Sequence, residues 1–266
     1  MKNVYLICLG MIGASVLHAQ SYPGTATWQK TQQAAAIVQL PCPRSIAEDG
    51  LKDYMARKGA KGSSIKGFTV YRSIRMTDAD TALSDLYFIT DVKSRQEKDI
   101  TLLTLMPAGK NQDVTARLPG DTSLISSARV FLDSLAPVLE AYDIQVQAGN
   151  QEDQLQKARK KMNGLISDQA DLEKRIRKLE AGLDENKKDQ VKQAADLKSN
   201  IQSDDDTKRK NQKRLRRLLD EEGSLENKLR NAKSDLDQNK SDQARQQSEI
   251  EKQQQTLDGI KARRSR

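Results

Sequence analysis

The stretch LQKARKKMNGLISDQADLEKRIRKLEAGL, Leu155–Leu183, decides the architecture. Read at alternating three- and four-residue steps, it places Leu155, Ala158, Met162, Leu165, Gln169, Leu172, Ile176, Leu179 and Leu183 on one line. Asn186 and Gln190 continue that line. The residues between are mostly charged or amide. The same spacing holds from Ile201 to Ile260 over eighteen positions. Ten of these are apolar: Ile201, Leu215, Leu218, Leu225, Leu229, Ala232, Leu236, Ile250, Leu257 and Ile260. The polar ones include Asp204, Lys208, Asn211, Glu222, Asn239 and Gln243. A narrow seam sustained this long predicts a coiled coil rather than a helix lying on a globular core. Between Asn186 and Ala194 the spacing runs four and four, a stutter that locally unwinds the supercoil.

Composition supports the division. From Gln151 to Arg266 there are 29 Lys+Arg and 23 Asp+Glu in 116 residues, with fifteen Gln and no aromatic residue. Such a segment has too little apolar surface for a globular core. Three arrangements fit the seam. Two chains zip in parallel, or one chain folds back on itself, or a solitary helix is held by surface charge pairs. A fold-back would bend at Ser203-Asp204-Asp205-Asp206 or at Glu222-Gly223-Ser224. One continuous helix over about 150–260 would be ~165 Å long. Polar seam residues fix register at a cost in stability.

Outward from the seam toward the N-terminus, all six Pro lie at or before Pro137 and the last aromatic is Tyr142. About 115 residues between Thr25 and Tyr142 have the size of one domain. Ala36, Val38 and Leu40 mark a first strand that ends at Pro41. Ser45-Ile46-Ala47-Glu48 has the form of a capping box and opens a helix with Ala47, Leu51, Tyr54 and Met55 on one face. That helix stops at Gly59. Phe68, Val70, Ile74 and Met76 mark a second strand. Leu86–Val92 and Ile100–Met106 give a third and fourth. Leu124, Ala128, Phe131, Leu132, Leu135, Leu139 and Tyr142 mark a second helix, kinked or restarted at Pro137. The order β-α-β-β-β-α predicts an α+β fold: a mostly antiparallel sheet with helices on one face. The expected organisation is a signal peptide over 1–19, the α+β domain over 20–145, the coiled-coil helical region over 146–262 and a basic tail over 263–266.

The first nineteen residues read as a secretory signal. Lys2 is followed by an apolar run from Val4 to Leu17, and Leu17-His18-Ala19 offers a cleavage site. The run is shorter than a spanning helix, although an uncleaved anchor is the alternative. No second run of spanning length follows. The mature protein is therefore expected to be soluble and exported, in the periplasm or associated with the cell envelope.

The only His is His18, and the two Cys are Cys8 and Cys42. A chain cleaved after Ala19 would keep Cys42 alone. That leaves no intramolecular disulfide, no His-dependent catalysis and no His/Cys zinc site. Cys42 reads as a small buried apolar residue, with a disulfide between chains as the lesser reading. No cofactor or metal site is expected and no catalytic constellation stands out. Asp78-Ala79-Asp80 begins like a calcium loop, but Leu83 and Ile89 stand where that loop needs Gly and Glu.

One loop suggests chemistry. Lys58-Gly59-Ala60-Lys61-Gly62-Ser63-Ser64-Ile65-Lys66-Gly67 combines glycines with lysines, as a phosphate site does. It lacks the phosphate-loop motif and runs from helix to strand, so a plain connection is the bland reading. With the Lys93–Asp99 turn it defines one candidate anion-binding patch: Lys58, Lys61, Lys66, Lys93, Arg95 and Lys98. Basic clusters at Lys208–Lys210, Lys213–Arg217 and Lys261–Arg266 read as attraction to nucleic acid, lipid head groups or acidic polysaccharide, with a soluble coiled-coil surface as the bland alternative. Nucleic acid is disfavoured, because nothing there can stack on bases.

The Lys/Gly loop, the Tyr71–Arg75 region, the Lys93–Asp99 turn and the Ala19-Gln20 junction resemble uncharacterised exported proteins of Bacteroidota-type bacteria. The resemblance covers roughly residues 1–145 and implies no activity. The expected role is that of a non-enzymatic exported structural or adaptor protein. The coiled coil would self-associate or act as a spacer. The alternative is a module binding an anionic envelope polymer or lipid through the Lys/Gly loop.

Overall fold

The computed structural model describes residues 20–77, 80–116, 122–199 and 205–264. The expected signal segment, with Cys8 and His18, lies outside them, as do Asp78, Ala79, Ser203 and Asp204. The chain forms two compact units. One comprises the residues up to Gln147 together with Arg263 onward, and the other Ala148–Ala262.

The first unit is an antiparallel sheet with helices on one face. Its strands are β1 (Tyr22–Trp28), β2 (Thr31–Leu40), β3 (Ser63–Ile65), β4 (Phe68–Ile74), β5 (Ser84–Val92) and β6 (Thr101–Gly109). Helix α1 (Arg44–Arg57) follows β2, and a 3-10 turn (Val114–Ala116) follows β6. Helix α2 (Ser123–Ser199) contributes its first turns to this unit. The spatial order is β1-β2-β6-β5-β4-β3. All five neighbouring pairs are antiparallel.

The α+β layout follows the sequence reading, but the sheet has six strands rather than four. β1 and β3 were hidden for a physical reason. Both are edge strands, and an edge strand with a solvated face needs no apolar alternation. β1 reads Tyr-Pro-Gly-Thr-Ala-Thr-Trp and is largely exposed, while β3 is three residues inside the Lys/Gly loop.

Two cores sandwich the sheet. On the helix face, Val38, Leu40, Leu86, Phe88, Leu103 and Leu105 meet Leu51 and Met55 of α1 and Phe131, Leu132 and Leu135 of α2. On the other face, Trp28, Phe68, Val70, Tyr87 and Met106 form a smaller cluster. Trp28 reaches that cluster from the far edge because its hairpin leaves the sheet. β2 pairs β6 only from Ala36 to Leu40, opposite Leu105 to Thr101. Two residues beyond Leu105, Pro107 has no N–H to offer a neighbouring strand. The free end of the β1–β2 hairpin curls over the sheet. The Trp28 ring then lies 5.4 Å from Phe68 and 5.2 Å from Tyr87, edge-on to both. Its indole N–H donates to Asp113 Oδ1 at 3.0 Å.

Three local expectations are corrected. The Ser45–Glu48 capping box does not form: α1 starts at Arg44, Pro43 is its N-cap, and no side chain caps it. Glu48 is instead engaged by Arg44 and by Thr90 of β5. Of the two readings at Pro137, a kink or a restart, the restart is corrected: α2 continues through it. The buried Leu135, Ala136 and Leu139 around Pro137 hold the helix against the sheet, which offsets the one lost backbone bond. α3 (Asp205–Arg264) includes Arg263 and Arg264 and leaves Glu222-Gly223-Ser224 inside a helix rather than at a bend.

In the second unit, α2 from Ala148 and α3 pack antiparallel as a hairpin. The cross-helix contacts fix the direction, since low numbers on α2 meet high numbers on α3. Gln246 Nε2 donates to Ala158 O at 3.1 Å, Gln243 Nε2 to Gln169 Oε1 at 2.7 Å, and Gln190 Nε2 to Glu222 Oε2 at 2.7 Å. Lys261–Glu152 and Lys233–Glu180 add ion pairs at 2.7 and 2.9 Å. Every seam position from Leu155 to Gln190, and from Lys208 to Ile260, is buried or half-buried. Of the three arrangements open to the sequence, the chain adopts the fold-back. Among the described residues, no helix is long and apolar enough to cross a membrane.

Candidate binding groove beside the edge strand

A groove of about 760 Å³ lies between α1 and the β3–β4–β5 end of the sheet. Its floor is apolar, with Leu51, Tyr71 and Phe88, each at most 3% exposed. Its rim is polar, with Arg44, Glu48, Asp49, Lys52 and Lys61. The size falls within the range of small-ligand and peptide-anchor sites.

The Lys/Gly loop builds one wall. α1 ends in a Schellman motif: Ala60 N–H donates to Met55 O and Gly59 N–H to Ala56 O, both at 2.9 Å. The chain then turns back as β3. At Gly62 a β-carbon would lie 3.0 Å from the Tyr71 ring, so glycine lets the backbone settle onto that ring. Lys66 and Gly67, with φ of 52° and 86°, make the two-residue turn between β3 and β4. That turn sets the polarity of the edge. Ile65 and Phe68 close the turn as a hydrogen-bonded pair, so Ser64 opposite Thr69 is a non-bonded pair. The backbone N–H and C=O of Ser64 therefore face away from β4, toward the open edge.

The far wall is held by Glu48. Arg44 Nε donates to its Oε1 at 2.7 Å, and the Thr90 hydroxyl donates to the same oxygen. Burial pushes the Glu48 carboxyl up, but the bonds from Thr90 and Arg44 and the Arg44 charge outweigh it, leaving the carboxyl below its ordinary value. The bond to Glu48 also raises the Arg44 guanidinium. Burial raises the Tyr71 phenol, so it stays a neutral hydroxyl. Lys52 and Lys61 form no ion pair among the described residues and leave two free cations on the rim, against the carboxylate of Asp49.

The six candidate anion-binding residues do not share one surface. Lys61 lines the groove. Lys58 caps α1 and lies over Tyr54 and Phe131, its Nζ 5.1 and 5.8 Å from the ring centres, on the helix face. Lys66 lies over Trp28 at 5.5 Å, on the opposite face. Lys93 is paired with Glu97 at 2.9 Å, and that bond holds the Glu97 carboxyl low. Arg95 and Lys98 stand on the β5–β6 turn outside the groove. Sequence reasoning found the loop but missed Arg44, Glu48 and Thr90. Glu48 had a signal, its place four residues after Arg44, but its spacing from Ser45 suggested a cap instead.

Other clusters are structural. Asp85, fully buried, accepts from Ser73 N and Arg72 Nη1 at 2.9 Å each and fixes the irregularity between Tyr71 and Ile74. Asp80 accepts from Thr77 N at 2.8 Å and Ser127 Oγ at 3.1 Å, tying the loop before β5 to α2. Among the described residues no group of three or more His, Cys, Asp or Glu is placed to hold a metal. Comparison with protein families, with curated proteins and with solved structures finds no match.

Proposed function

We propose that this is a non-enzymatic adaptor of the cell envelope whose α+β domain takes up an extended peptide segment of a partner protein. The observation that carries this reading is the free edge of β3 beside the groove. The outward N–H and C=O of Ser64 offer a strand-pairing site, and the cavity against α1 offers room for one side chain of the added strand. Strand addition gains affinity from main-chain bonds and specificity from such a pocket. Lys52 and Lys61 favour an acidic side chain at that place. Export rests on the N-terminal signal pattern. The hairpin, read as an antiparallel coiled coil, serves as a spacer, with an arm of about 78 Å for residues 148–199. Its seam is supported by hydrogen bonds within one chain. Self-association through the same seam would compete with the fold-back, so the spacer role is the better supported of the two.

The test is selection of peptides from a random library on residues 20–266, repeated with Ser64→Pro. Proline removes an N–H that the β3–β4 ladder does not use. Peptides that bind the parent chain should lose at least about tenfold in affinity on the variant, the worth of about one hydrogen bond or more. Equal binding by both chains would rule out strand addition at β3.

A further inference from the structure

We infer that the outer face at the start of α3 is a docking surface for an anionic lipid bilayer. The fold-back doubles one already basic stretch of the chain back on itself at one end of the hairpin. Residues 187–217, where α2 ends and α3 begins, carry eleven Lys+Arg and five Asp+Glu, a net charge of +6. The rest of the hairpin, 148–186 and 218–262, carries fifteen and eighteen, a net charge of −3. One end of the hairpin is therefore strongly basic, while the remainder is mildly acidic.

Helix geometry focuses this charge further. At 100° per residue, Arg209, Lys210, Lys213, Arg216 and Arg217 fall within about 60° either side of one line, with the exposed Asp206 and Asp220 on that line one turn before and one turn after. The seam residues Asn211, Leu215, Leu218 and Glu222 fall on the opposite side. The five cations point away from α2 and are exposed. None has an ion pair among the described residues. Their span of nine residues covers about 13 Å of helix. Cations within a Debye length of an anionic leaflet each add attraction of about 1 kcal/mol, roughly fivefold in affinity.

A phosphate surface could equally be nucleic acid, and two features favour lipid. The hairpin has no aromatic residue on which a base could stack. Leu219, half-exposed, is three residues beyond Arg216 and lies between the basic face and the seam. An apolar side chain beside cations suits the boundary between headgroups and acyl chains. This proposal does not depend on the peptide groove, which lies in the other unit.

The test is sedimentation of residues 20–266 with vesicles of phosphatidylcholine alone, or with a quarter phosphatidylglycerol. Binding is expected only to the anionic vesicles and should fall steeply between 0.1 and 0.5 M salt. Arg209→Gln, Lys213→Gln, Arg216→Gln and Arg217→Gln together should weaken it roughly 100-fold or more. A control with Lys174→Gln, Arg175→Gln, Arg177→Gln and Lys178→Gln removes the same charge from α2 and should retain binding within about threefold. Should circular dichroism show lost helicity in the fourfold variant, the pairs Arg209→Gln/Lys213→Gln and Arg216→Gln/Arg217→Gln are read instead, each expected to lose at least about tenfold. The inference is overturned by absent binding, by equal binding to neutral vesicles or by equal losses in test and control. Tighter binding to a 20-base-pair DNA duplex at the same salt would also overturn it and reassign the face to nucleic acid.

Discussion

Gln243 of α3 donates to Gln169 of α2 at 2.7 Å, although 74 residues separate them. Gln243 and Asn239 also donate to Leu165 O, at 3.3 and 3.1 Å. This amide cluster at the seam sets the register of the fold-back, because sliding the helices by one turn would leave buried amides without partners. With Cys42→Ala as background, Gln169→Cys and Gln243→Cys should oxidise to a disulfide within one chain. Non-reducing electrophoresis checks this: a monomer band is expected, and a dimer ladder would mean that the seam pairs between chains.

The expected stutter at Asn186–Ala194 does not set the seam: the regular three-residue step from Gln190 falls on Gln193, which is 4% exposed, while Ala194 is only half-buried. The Gln193 Nε2 finds no acceptor among the described residues. Gln193→Leu removes the unpaired group and adds apolar contact. Thermal unfolding should show the hairpin stabilised by about 1–2 kcal/mol. A loss of stability would mean that the amide has a partner in solution.

Glu48 links α1 to β5 and titrates below its ordinary value of 4.5. A carboxyl held lower in the folded state stabilises the fold above the unfolded pKa. That contribution fades as pH falls through the folded pKa, so the window lies from about 4.5 downward. Urea midpoints at pH 7 and pH 3.5 should therefore differ more for the parent chain than for Glu48→Gln. Parallel pH profiles would show that the network adds nothing to stability.

Cys42 is 1% exposed, and burial, with Asp143 and Glu140 nearby, pushes its thiol up to about 12. Thiolate is the reactive form, so the native protein should be inert to a disulfide reagent at pH 8. With residues 20–266, which hold Cys42 as their one cysteine, one equivalent should react once urea unfolds the chain. Fast reaction of the native protein would contradict this burial.

The seam shows how much was legible in the sequence. A helix repeats its face every seven residues or so, and Leu155–Gln190 and Lys208–Ile260 keep that repeat, so buried positions there could be read one by one, while the buried Gln193 was missed. The same holds for Phe88, Leu103 and Leu105 in central strands, whose burial demands apolar residues. β1 and β3 carried no such demand, since an edge strand is held by backbone bonds that leave little trace in side chains. Nor could spacing separate Glu48 as a helix cap from Glu48 as a partner of Thr90, 42 residues away.

The sequence by itself determined that a small α+β domain precedes a long helical region, because periodicity and composition are local properties. It also determined, Gln193 apart, which residues face the seam. Only the tertiary structure decided that α3 returns along α2, since a seam does not name its partner. The same is true of the lysines. Their charge is written in the chain, but the sheet turns Lys61 to the helix face and Lys66 to the Trp28 face, while the fold-back gathers the cations of 187–217 at one end of the hairpin. Charge adds up by distance in space, and that distance exists only once the chain has folded.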